Sequence, residues 1–96
     1  MDTIKSHLQA KHTFIVEFYA DWCGPCKVYG PALKKFCVEK GIPLVQINGD
    51  NAPADLQKYM NGIPITAYPT TIVYIHGGSP KVVVGADIKK VMALLA

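Results

Sequence analysis

Two cysteines three residues apart, Cys23 and Cys26, are the chemically capable pair of this 96-residue chain, and Gly24-Pro25 separates them. An apolar run (Phe14, Ile15, Val16, Phe18, Tyr19, Ala20) precedes them and a helical pattern follows. At a helix start, residues i and i+3 share a face about 5–6 Å apart. That lies inside the roughly 4.4–6.8 Å Cα window of an unstrained disulfide, so the pair can open and close with little backbone movement. Cys23 falls where unpaired N–H groups and the positive end of the helix dipole favour an anion, which makes it the attacking thiolate. Cys26, further in and expected to be less exposed, is the resolving thiol. Pro25 suits a first helical turn, and Gly24 leaves room for another chain to approach the sulfur.

A half zinc site, a static disulfide and a chance spacing compete with this redox reading. Zinc normally needs four ligands. Only Cys37 and the scattered His7, His12 and His76 could add to the pair, so no metal site is expected. Cys37 lies eleven residues past Cys26, on the order of 16 Å along a helix, and reads as a small buried apolar residue.

One further residue could move a proton. Glu17 interrupts the apolar run six residues before Cys23. Burying its charge is costly, so its pKa is expected to rise. On a strand running straight into the motif it lies under the cysteines, placed to accept the Cys26 proton during resolution. The competing reading is an edge residue turned to water.

The elements that must position these groups follow from pattern. Asp2 through Ala10 reads as a short helix, and Phe14 to Ala20 as a central strand, apolar on both faces apart from Glu17. Cys26 to Lys40 reads as a second helix with an apolar stripe of Val28, Leu33, Phe36 and Cys37, a kink at Gly30-Pro31 and a stop at Gly41. Pro43 to Asn48 is the next strand, Gly49-Asp50-Asn51 its turn, Ala52 to Met60 a short helix and Asn61 to Pro64 a breaker. Thr71 to Ile75 and Lys81 to Val84 form a hairpin around His76 to Pro80. Gly85 ends it, Asp87 caps, and Ile88, Val91, Met92 and Leu95 give the last helix its apolar face. The order αβαβαββα predicts an α/β fold: a mixed, four-stranded central sheet with helices on both faces.

Composition bounds the function. Half the residues are hydrophobic and 18% are charged, which fits one domain over 1–96 with one core. The net charge of +3 comes from ten lysines without arginine. They are dispersed, which argues against a nucleic-acid surface. No stretch approaches the ~20 apolar residues of a membrane span, and the N-terminus lacks a signal-peptide core. A reducing, cytoplasmic location is therefore expected, where a Cys-x-x-Cys pair is more often catalytic than structural.

With these residues in view the chain resembles the thioredoxin family. The resemblance rests on Phe18-Tyr19-Ala20-Asp21-Trp22-Cys23-Gly24-Pro25-Cys26-Lys27, on Pro31, on Tyr68-Pro69-Thr70 and on Gly85, and spans nearly everything from Phe14 onward. It implies a cytosolic dithiol that reduces protein disulfides, binds no cofactor beyond its Cys23-Cys26 disulfide, and is re-reduced by a flavoprotein reductase drawing on NADPH; a monomer is the default expectation for so small a domain. It implies further that Pro69 is a cis-proline beside the disulfide and that the backbone of Tyr68 pairs with an extended substrate. Trp22, Gly24, Pro25 and Gly85 complete the expected binding surface.

Five departures stand out against the family pattern. Glu17 stands where a buried Asp is usual, and Gln46 where a lysine often is. Tyr68 replaces an aliphatic residue, and the segment from Asp50 to Pro69 is a few residues longer. Little room remains for an extra strand ahead of the first helix. A glutaredoxin-like reductant of glutathione mixed disulfides is a second reading, which Gly24-Pro25 and the lack of arginine oppose. A third is a binding module that uses Trp22, Tyr68 and Gly85 while the cysteines are dispensable. A secretory oxidase would need an export signal.

Overall fold

The computed structural model describes residues 7, 10–49, 65 and 67–95. Strand β1 (Phe14–Tyr19) is its centre. Phe14, Ile15, Val16 and Glu17 are wholly enclosed, as a strand apolar on both faces requires. It pairs in parallel with β2 (Leu44–Asn48) and antiparallel with β3 (Thr70–Tyr74). Strand β4 (Lys81–Val84) returns antiparallel on β3. The sheet is thus mixed and four-stranded, in the order β2-β1-β3-β4. Strand ends fall within a residue of the sequence expectation, at Tyr19 rather than Ala20 and at Thr70–Tyr74 rather than Thr71–Ile75.

Alternation along β1 divides the core. Ile15 joins Val73 and Val83 beneath helices α1 (Gly24–Lys40) and α2 (Ile88–Leu94), which supply Tyr29, Leu33, Phe36, Cys37 and Val91. Phe14, Val16 and Phe18 face the other way with Ile47, Ile72 and Tyr74. Both described helices thus cover one face. The first helix apart from His7 and Ala10, the turn residues Asp50 and Asn51, the helix at Ala52 to Met60 and the breaker at Asn61 to Pro64 lie outside the described residues.

Helix α1 begins two residues earlier than expected, at Gly24, and runs unbroken through Pro31 to a left-handed cap at Gly41, φ 67°. Its buried residues, Cys26, Tyr29, Gly30, Leu33, Phe36 and Cys37, repeat at helical spacing. Val28, expected in that stripe, is 77% exposed, because the face set by Cys26 passes through Tyr29 one position later. In α2, Asp87 caps as expected, its Oδ1 accepting from the Lys90 N–H at 3.1 Å. Met92 is exposed where the sequence placed it inward, and Leu94 packs against the core instead. Among the described residues no helix is long and apolar enough to cross a membrane.

Candidate functional site

The end of β1 and the start of α1 place the two cysteines. The chain turns at Asp21-Trp22, the Cys23 N–H donates to the Ala20 carbonyl at 3.1 Å, and Cys23 becomes the N-cap of α1 with extended φ and ψ. Pro25 occupies the first helical turn. Cys23 and Cys26 form a disulfide with their Cα atoms 5.3 Å apart. The Cys26 N–H also donates to Cys23 Sγ at 3.2 Å. This donor and the helix N-terminus both favour negative charge on that sulfur once the bond is reduced.

Burial does not separate the two sulfurs as the sequence suggested. Cys23 is 4% exposed and Cys26 6%; both belong to one cluster with Ala20, against which Tyr19 and Tyr68 pack. The cap position separates them instead, since it belongs to Cys23. A Cβ added to Gly24 would meet nothing within 4 Å, so the approach over that residue is open.

Tyr68 and Pro69 stand beside the pair. Their peptide bond is cis, and Pro69 is buried. The Pro69 carbonyl accepts from the Gly85 N–H at 2.8 Å. Gly85 has φ 95°, a conformation natural to glycine, so it ties the loop to the end of β4. The Tyr68 ring meets Trp22 edge-on, centroids 5.6 Å apart, and Trp22 is 70% exposed. A Cβ at Gly49 would collide with that ring. Sequence reasoning took Gly49 for a turn residue; its packing role depends on a partner nineteen positions away.

Glu17 lies on the α1 side of β1 and is fully buried, so the water-facing edge reading fails. The parallel register sets Gln46 directly beside it. Gln46 Nε2 donates to Glu17 Oε1 at 2.8 Å and to the Gly30 carbonyl at 3.4 Å. Among the described residues, Glu17 Oε2 has no hydrogen-bond partner. Desolvation pushes the Glu17 pKa up from 4.5, opposed by the Gln46 hydrogen bond. Burial, with the Glu17 charge adding to it, lifts the free Cys37 thiol to about 11, which leaves it inert. Glu17 and Cys26 line one cleft of about 550 Å³, with Asp21, Lys27, Gly30 and Gln46 among its walls. Asn48 Nδ2 donates to Asp21 Oδ2 at 3.2 Å near it.

Gly30 is the wall residue that sequence reasoning assigned only to a kink. A Cβ there would lie 3.6 Å from Gln46 Nε2 and 3.7 and 3.8 Å from the Glu17 carboxylate oxygens, which is ordinary contact. Gly30→Ala is therefore expected to raise stability by about 0.5–1 kcal/mol, the helical advantage of alanine over glycine. Urea unfolding reads this directly. A loss of stability would mean the carboxylate needs that space empty.

A cap cysteine, its disulfide partner one turn later and a cis-proline beside them, on a mixed α/β sheet, define a dithiol–disulfide exchange protein. The chain belongs to the thioredoxin family: the family profile described as Thioredoxin matches residues 2–95. It is 36% identical over 92 residues to mitochondrial thioredoxin-2 of Schizosaccharomyces pombe, covering 95% of this chain and 66% of that protein. It is likewise 36% identical over 83 residues to a thioredoxin of Streptomyces clavuligerus, covering 85% and 74%. Among solved structures, the reduced thioredoxin pre-protein of Schistosoma mansoni superposes with a TM-score of 0.78 at 32% identity, covering 98% of this chain and 87% of that one.

Proposed function

We propose that this protein reduces protein disulfides by dithiol exchange. The observation that carries the reading is the cap geometry, in which the Cys26 N–H points at Cys23 Sγ at 3.2 Å beside a cis-proline. Cys23 thiolate attacks a client sulfur, a mixed disulfide forms, and the client's other sulfur leaves as a thiolate. Cys26 then gives its proton to the Glu17 carboxylate and attacks Cys23 Sγ, which releases the second client sulfur and closes Cys23-Cys26. Two electrons from a flavoprotein reductase drawing on NADPH reopen that bond.

The client lies across Trp22, Gly24 and Pro25 and pairs with the backbone at Tyr68, while Pro69 and Gly85 hold the loop in place. The protein acts as a monomer in a reducing compartment, the cytoplasm on the sequence expectation. Some relatives bear organellar names, including the mitochondrial one above and a chloroplastic M-type thioredoxin of Brassica napus.

Reduction of an insulin-type disulfide with dithiothreitol as electron source tests the reading. The wild type is expected to accelerate the reaction far beyond dithiothreitol alone. Folded wild type with no turnover would transfer the weight to glutathione mixed disulfides, or to partner binding that survives replacement of both cysteines.

A further inference from the structure

We propose that Gln46 is the positioning residue of the resolving step: it ties down Oε1 of Glu17 and leaves Oε2 as the atom that exchanges a proton with Cys26 across their shared cleft. This rests on the proton-acceptor reading of Glu17 given above.

A glutamine amide nitrogen carries two hydrogens, and here both have acceptors. One goes to Glu17 Oε1 at 2.8 Å, the other to the Gly30 carbonyl at 3.4 Å. The amide is therefore held from two sides and cannot swing away from the carboxylate without losing a bond to α1. Its backbone is fixed as well, since Gln46 and Glu17 are register partners on adjacent parallel strands.

With Oε1 accepting from nitrogen, a proton on Glu17 resides on Oε2. That oxygen is buried and without a partner among the described residues, in a carboxylate that lines the same cleft as Cys26. The cleft, at about 550 Å³, has room for a water to bridge the two groups.

The step balances. Cys26–SH and Glu17–COO⁻ become Cys26–S⁻ and Glu17–COOH, with the proton on Oε2. The new thiolate then displaces the client sulfur from Cys23. A neutral amide orients the carboxylate and favours its charged form only through the hydrogen bond, whereas a cation at position 46 would favour it by charge as well.

Stopped-flow reaction of the reduced protein with a chromogenic aromatic disulfide separates two releases of coloured thiol, the first from attack by Cys23 and the second from resolution by Cys26. Gln46→Leu is expected to slow the second release about two- to tenfold at neutral pH, the factor one such hydrogen bond is worth. It shifts the acid limb of that phase to higher pH and leaves the first release unchanged. Gln46→Lys is expected to shift the same limb to lower pH. A residue that served packing alone would not move the profile in opposite directions.

Infrared spectroscopy gives a second readout. The carbonyl stretch of protonated Glu17, assigned by its disappearance in Glu17→Gln, moves to higher wavenumber in Gln46→Leu when Oε1 loses its donor. Second-phase profiles or a carbonyl band unchanged by the Gln46 substitutions, with resolution slowed in Glu17→Gln, would overturn the positioning role and leave the acceptor role standing. An unaffected second phase in Glu17→Gln would overturn both.

Discussion

Cys26→Ser protein mixed with a disulfide client accumulates a one-to-one covalent adduct, and Cys23→Ser protein accumulates none. Both lose turnover on the order of 10³-fold or more, as expected when a nucleophile or its obligate partner is removed. The difference between them follows from the cap. Cys23 Sγ receives the Cys26 N–H and the field of the α1 N-terminus, so its thiolate persists when residue 26 is serine. The mixed disulfide then forms and cannot be resolved, because a serine hydroxyl is not ionised and cannot displace the client sulfur. In Cys23→Ser the remaining Cys26 thiol lies inside the first turn, without the cap position. Non-reducing electrophoresis and intact mass read the adduct. Equal trapping by both variants would mean that either sulfur can attack, and the cap would lose its assigned part.

The redox pair was legible in the sequence because its geometry is local. Three residues of separation at a helix start fix a Cα distance of 5.3 Å whatever the rest of the chain does. Strand β1 was legible for the opposite reason. A run apolar on both faces has only the middle of a sheet to occupy, and Phe14 to Glu17 are wholly enclosed there. The caps at Gly41 and Asp87 were also local signals.

What escaped depends on register and on packing between distant residues. The stripe of α1 was displaced at Val28 because the buried face is set by Cys26 and the strands beneath, not by which residues are apolar. Cys23 and Cys26 share one buried cluster, and Tyr68, more than forty residues away, packs against it. Gln46 stands out in the sequence as an uncharged departure, yet its bonds to Glu17 and Gly30 exist only because β2 pairs with β1 in one particular register. A slip of one residue would have turned that amide to the opposite face of the sheet.

Glu17→Gln is expected to make the protein more stable and slower at once. Burial raises the folded pKa of Glu17 above its ordinary 4.5. For an acid shifted upward the folded state holds its proton longer than the unfolded chain does, so stability falls as pH rises above the unfolded value. The loss is complete once pH exceeds the folded value. Glutamine keeps the shape and the Gln46 contact but carries no ionisable proton. The variant should match wild type near pH 3–4 and exceed it in the neutral to alkaline range, where wild type must hold a buried charge. Urea midpoints at a series of pH values would show the two curves parting as pH climbs.

On the proposed mechanism the same change removes the acceptor for the Cys26 proton, so resolution is expected to slow on the order of 10²-fold, the lower end of what a positioned base supplies, while attack by Cys23 keeps its rate. Equal slowing of both steps would place Glu17 in the general support of the site. A stability gain without any kinetic loss would leave the buried acid with no part in the exchange. Gain and loss together mean that β1 carries a destabilising carboxylate in its core because Cys26 needs a base within that cleft.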